Sequence, residues 1–230
     1  MKRNILVAGA FVGSALLLSA CQFDGFGATE QSVASYDVPE KVLTLAVDSG
    51  AGDIVVNESD RTGIRVTETV HWNGDKPKTE HVVSGDTLRL TYDCGGGFAR
   101  ACSVDYKVEV PKGVTVRADT GSGDITLRSL TGQVDATAGS GDIDASGLGG
   151  KNLTADTGSG DVEVKFAGVP DRVEIETGAG DATVRLPQNS YKVTTDTGAG
   201  DETVEVTNDQ SSARIIQVST GAGDAKVLRS

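Results

Sequence analysis

The feature that most constrains this chain is a short phrase it keeps repeating. Asp119–Leu127 reads DTGSGDITL, and the phrase returns as DTGSGDVEV at Asp156, ETGAGDATV at Glu176 and DTGAGDETV at Asp196. A Gly-Asp pair closes the turn at Asp124, Asp142, Asp161, Asp181, Asp201 and Asp224, at intervals of 18, 19, 20, 20 and 23 residues. A ligand-binding loop is needed once, whereas a turn that shapes a repeating fold is needed once per repeat. A period near 20 is the mark of a solenoid, whose units cannot bury their apolar faces alone and must stack, each coil on the next. Stacked at ~4.8 Å per coil, six units predict a rod of roughly 29 Å.

Each unit reads as two short strands about the turn. Val114, Val116 and Ala118 alternate with Thr115, Arg117 and Asp119, and Val173, Ile175, Val184 and Leu186 follow the same rule later. Period-2 alternation gives one apolar and one wet face. The paired turn glycines (Gly121 and Gly123, Gly139 and Gly141, Gly158 and Gly160, Gly178 and Gly180, Gly198 and Gly200, Gly221 and Gly223) are expected to supply positive φ angles. The residue between them is always Ser or Ala, as stacked turns require. Thr120, Thr157, Thr177, Thr197 and Thr220 precede the turn and predict a hydrogen-bonded ladder, broken by Ala138. Glu202 occupies a position held elsewhere by Ile125, Ile143, Val162, Ala182 and Ala225, and nothing in the sequence accounts for it.

Composition agrees with this reading. Thirty of 230 residues are Gly and only 4% are aromatic, so the core must come from Val, Ile, Leu, Ala and Thr on short strands. Upstream of Gly113 the pattern is less regular. SGAGDIVV at Ser49 is a first copy of the turn, and TGIRVTETVHW, GDTLRLTYD and CSVDYKVEVP read as strands around an NGDKPK loop. The expected fold is all-β: parallel β-solenoid, β-helix-like repeats over 113–230, preceded at 38–112 by a partly antiparallel β-rich segment.

The N-terminus has the anatomy of an export signal. Lys2 and Arg3 precede an apolar stretch, Ile5 to Leu18, that is too short and too near the end for a comfortable membrane span. It ends in LLSAC, which resembles the lipobox of bacterial lipoproteins. The resemblance implies a signal peptide over 1–20 and lipidation at Cys21, anchoring the chain without a transmembrane helix. Residues 21–37 are polar and read as a flexible tether. Cys94 and Cys102 lie eight apart in a chain bound for an oxidising compartment, which predicts a disulfide stapling a hairpin. Zinc is the rival, but only His71 and His81 remain as soft ligands and a structural site wants four.

The repeated TGSGDI, the lipobox and the stretch Y-D-C…C-S-V-D-Y-x-V-x-V-P together resemble the bacterial envelope domain family of unknown function known as putative adhesin, in its actinobacterial-like lipoprotein branch. The resemblance covers about residues 40–230. It implies an all-β solenoid-like fold outside a single membrane, and it brings no catalytic residues.

Several function classes are disfavoured by the residues themselves. The net charge of −12 repels nucleic acid. The GSGD turns lack the lysine and the helix N-terminus that cradle phosphate. An enzyme needs a site that breaks the repeat, yet every turn Asp has five equivalents and no long insertion walls a cleft. His71, beside Trp72, reads as an edge contact rather than a base. Stacking does place Asp124, Asp142, Asp161, Asp181 and Asp201 in a row of like charges, doubled by Asp119, Asp156, Glu176 and Asp196. Either each turn Asp accepts hydrogen bonds from its own turn's backbone, or the row binds calcium. Calcium-binding toxin repeats read G-G-x-G-x-D every nine residues, a poor match. The expectation is therefore a non-catalytic, extracytoplasmic, lipid-anchored binding or adhesion scaffold without a cofactor. Its partner would be an envelope protein or cell-wall polymer; a calcium-binding repeat protein and an envelope-stress signalling partner are the alternatives.

Overall fold

The computed structural model describes residues 29–95 and 102–230. Among these, twenty strands and no helix form two ten-stranded sheets packed face to face. Before the regular repeats come β1 (Glu30–Val38), β2 (Thr44–Asp48), β3 (Ile54–Glu58), β4 (Ile64–Trp72), β5 (Lys78–Ser84), β6 (Thr87–Asp93) and β7 (Cys102–Val110). The repeats follow as strand pairs: β8 (Thr115–Ser122) with β9 (Ile125–Arg128), β10 (Val134–Ser140) with β11 (Ile143–Leu148), and β12 (Asn152–Thr157) with β13 (Val162–Phe166). Then come β14 (Arg172–Ala179) with β15 (Ala182–Leu186), β16 (Ser190–Thr197) with β17 (Glu202–Val204), the two-residue β18 (Thr207–Asn208), and β19 (Ile215–Ala222) with β20 (Ala225–Arg229).

The first sheet runs β1-β4-β7-β3-β9-β11-β13-β15-β20-β17 and the second β18-β16-β19-β14-β12-β10-β8-β2-β6-β5. Each coil lays its first strand in the second sheet, turns through its Gly-x-Gly-Asp, and lays its next strand in the first sheet. Within the repeats all pairing is parallel, as in Val134↔Val116 and Ile143↔Ile125, and the register shifts between β11 and β13, from Ser146 to Leu148. The alternation predicted from sequence is what fills the interior. Val116, Ala118, Ile125 and Leu127 are buried, and so are their partners in each neighbouring coil through β14 and β15. The aromatics buried in this core are Trp72, at 7% exposure, and Tyr106, Phe166 and Tyr191, all at 1% or less.

The antiparallel pairs are confined to one end: β1 with β4, β4 with β7, and β5 with β6. The β2–β3 coil belongs to the repeat stack itself, because β2 pairs in parallel with β8 and β3 with β9. Ten strands per sheet make a stack of about 43 Å, because strands from the N-terminal segment extend the six coils for which roughly 29 Å was expected.

Three expectations are corrected. Strand β1 takes up eight of the seventeen residues of the expected 21–37 tether, from Glu30 to Asp37. Only Val38 of its nine residues is buried, which is why no apolar pattern announced it; pairing with β4 holds it in place. The Cys94–Cys102 disulfide is formed, with a Cα–Cα distance of 6.0 Å, but it does not staple a hairpin. β6 lies in the second sheet and β7 in the first, so it clamps a crossover between sheets. Finally, the coils do not stack in chain order. The last coil, β19–β20, is inserted between β14–β15 and β16–β17. The inner positions give the reason. The last coil offers Ile216, Val218, Ala225 and Val227, all nearly fully buried, where β16–β17 offers Val193, Thr195, Glu202 and Val204. The coil with the polar inner face takes the end of the rod.

Candidate functional site

The repeated turn is built from three ladders, each running from coil to coil. In the first, an Asp carboxylate accepts the backbone N–H of the next coil's Asp. Asp105 accepts from Asp53, Asp53 from Asp124, Asp124 from Asp142, Asp142 from Asp161, Asp161 from Asp181, Asp181 from Asp224, and Asp224 from Asp201, all at 2.8–3.0 Å. The carboxylates therefore do not cap their own turns, as Asx chemistry would have it. Each is stabilised by a donor from its neighbour, which offsets the repulsion along the row.

In the second ladder, the threonine hydroxyl donates to the carbonyl of a turn glycine one coil away. Thr120 reaches Gly52, Thr157 reaches Gly141, Thr177 reaches Gly160, Thr220 reaches Gly180 and Thr197 reaches Gly223, at 2.8–3.0 Å. Ala138 leaves the Gly123 carbonyl without this donor, as the sequence foretold.

The third ladder is one of close approach. In the six regular turns only the second glycine, such as Gly160 at φ 141°, has the positive φ expected of both, whereas in the first copy of the turn Gly50 and Gly52 both have it. The first glycine is required for space: a Cβ at Gly121, Gly139, Gly158, Gly178, Gly198 or Gly221 would overlap the carbonyl oxygen of the glycine in the adjacent coil.

Charge is handled locally. Lys226 Nζ lies 3.0 Å from Asp181 and 2.8 Å from Asp224. The Asp181 carboxyl is held below the usual range by the Asp224 backbone N–H and by Lys226, and that of Asp224 by Lys226 and the Asp201 N–H. A lysine thus sits where the calcium reading wanted a cation. Among the described residues no group of three or more His, Cys, Asp or Glu side chains is arranged to hold a metal. His71 contacts Asp105 at 3.1 Å on the outer surface, the edge contact expected of it. Cys21 lies outside the described residues.

The acids that open each unit fall on the outer face of the second sheet, but not as an unbroken row. Asp48 pairs with Asp119, then Thr137 interrupts, Asp156 pairs with Glu176, and Ser219 interrupts before Asp196. At the Asp48–Asp119 end the face is hollowed. Ala46, a small floor, lies between Arg89 on β6 and Arg117 on β8. With Asp48, Asp119, Asp135, Thr87 and Thr137 they line an open groove of about 320 Å³. Partial burial, then the Asp48 and Asp135 charges, push the Asp119 carboxyl up. Neither arginine has an ion-pair partner among the described residues, whereas Arg61, Arg65, Arg128, Arg172 and Arg185 all do. Sequence reasoning missed this groove, since it depends on β6, β2 and β8 becoming neighbours, which brings Ala46 beside Arg89 and Arg117 from far along the chain.

The comparisons with known proteins bear on this architecture. A crystal structure described as a "putative cell adhesion protein" from Clostridium sporogenes superposes with a TM-score of 0.52 at 18% identity, covering 88% of this chain and 100% of that one. One described as a "putative adhesin" from Bacteroides fragilis gives 0.48 at 16% identity, covering 86% and 97%. The first shows the shared fold. A comparison with curated proteins gives no match. The family model described as Toastrack DUF4097 matches residues 101–228, more than half of the chain and all of its regular coils. The chain belongs to the Toastrack DUF4097 family.

Proposed function

We propose that this protein is a non-catalytic, extracytoplasmic binding scaffold, lipid-anchored through Cys21, that holds an envelope protein or cell-wall polymer against the outer face of its second sheet. One observation carries the reading. The polar groups multiplied by the repeat are spent on coil-to-coil bonds, while the two arginines and three aspartates of the outer-face groove have no ion-pair partner among the described residues. A surface of that kind offers charge for recognition, with no nucleophile or general base set apart from its equivalents. The adhesin descriptions of the similar structures and the lipobox-like LLSAC support the same placement.

The test has two arms. Cys21→Ser is expected to move the full-length protein out of the membrane fraction; unchanged partition would sink the anchor. Arg89→Ala with Arg117→Ala is expected to lower retention on isolated envelope material at least fivefold with an unchanged melting temperature. Equal retention would remove the groove from the proposal.

A further inference from the structure

The two ends of the rod are finished in opposite ways. At one end the edge strands are β17 and β18, three and two residues long. Glu202 stands at an inward position there, and its carboxylate accepts a hydrogen bond from the Thr195 hydroxyl across the mouth between the sheets. Short edge strands and inward-pointing charge are how proteins stop an edge from pairing with another chain.

At the other end the first sheet finishes on β1, which has none of these devices. It runs for nine residues in uninterrupted register with β4, from Glu30↔Trp72 to Val38↔Ile64. It contains no proline, lysine or arginine and no bulge. Its far edge has no strand neighbour among the described residues, and its Val33 side chain is 63% exposed. One of its two acids, Asp37, is already paired with Arg61 and Arg65. β5, which ends the second sheet at the same end, carries Lys78 and Glu80 instead.

We propose that the free edge of β1 is a homodimer interface, on which β1 of a second copy adds as an antiparallel strand about a two-fold axis at Ala34. The strand is complementary to itself in that register. With Ala34 opposite Ala34, all nine residues pair: Glu30 faces Val38 and Asp37 faces Gln31, so no carboxylate faces another. The middle, Ser32-Val33-Ala34-Ser35, is small and meets without crowding. Such an interface is isologous and closes at two copies, and the protected β17–β18 ends prevent further growth into fibres. Main-chain hydrogen bonds supply the contact, as in strand addition generally.

The experiment places Ala34→Cys in the full-length protein and applies mild oxidation in detergent. Opposed residues of an antiparallel pair have Cα atoms about 4.5–5.5 Å apart, inside the disulfide range of roughly 4.4–6.8 Å. A disulfide-linked species of twice the chain mass is expected, at least tenfold above that formed by Thr203→Cys at the opposite end. Adding Val33→Lys and Ser35→Lys, which face one another across the axis, is expected to abolish the link while leaving the melting temperature unchanged. Linkage no stronger than for Thr203→Cys overturns the proposal. So does a link to a species of another mass, which would mean that another protein occupies the edge.

Discussion

Thr177→Val isolates one rung of the hydroxyl ladder. Valine keeps the size and branching of threonine, so the buried volume is conserved and only the donor is lost. Thr177 is 1% exposed, and its hydroxyl donates to the Gly160 carbonyl at 2.9 Å. That carbonyl has no other donor among the described residues, and the bond is part-buried. Stranding an acceptor in that setting costs about 1–3 kcal/mol, against which the added methyl contributes up to ~0.8 kcal/mol. The net loss is on the order of 1–2 kcal/mol, a fall of about 3–6 °C in melting temperature for a chain this size. Ala138→Thr is the mirror experiment. Its register partners are Thr120 and Thr157, so the backbone already accommodates threonine there, and the new hydroxyl would meet the undonated Gly123 carbonyl. It is expected to raise the melting temperature by about 2–4 °C, a gain near 1 kcal/mol. Thermal melts of the two variants beside the parent decide the matter. If Thr177→Val melts within about a degree of the parent, and Ala138→Thr gives no rise, the ladder is a by-product of stacking rather than a cause of it.

Three further outcomes follow from the same geometry. Gly160→Ala would drive a Cβ into the Gly141 carbonyl at a positive φ, costing about 3 kcal/mol or more; a melt unchanged from the parent would contradict the close-approach ladder. Asp181 and Asp224 have depressed carboxyl pKa values in the fold, so their contribution is full above the unfolded value of about 3.9. It is lost as the pH drops through the lower folded values. Lys226→Met should therefore make the decline in melting temperature below pH 4 shallower than in the parent, and an identical pH profile would count against the Lys226 bridge. Glu202→Val restores the apolar residue type found in the other coils and should leave the melting temperature within about 1 °C while raising concentration-dependent light scattering; a clear solution at all concentrations would mean the carboxylate does not guard that end.

Much of this fold could be read from the letters, because the repeat states the same rule many times. The strand faces, the parallel stacking and the small residues at the turn follow from period-2 alternation about a fixed Gly-Asp. The disulfide followed from export and spacing, although its bridging of two sheets did not, since nothing local says where β6 and β7 part. β1 was invisible for a physical reason: a strand held by its neighbour's backbone needs no apolar face of its own. The direction of the Asp ladder was equally hidden, because an aspartate bonding its own turn and one bonding the next coil have the same sequence. Glu202 was noticed and left unexplained; it was the one written sign that its coil belongs at the end of the rod. The groove around Ala46 could not be foreseen without the pairing of β6, β2 and β8.

The position of the β19–β20 coil sets the order in which the stack can be assembled. Where coils stack in chain order, each can settle on its predecessor as soon as a ribosome delivers it. Here β16–β17 leaves the ribosome before the coil that separates it from β14–β15. It must wait unpaired, or dock on β14–β15 in a place that β19–β20 later takes. Vectorial folding, open to a chain-ordered solenoid throughout, is interrupted at this one coil.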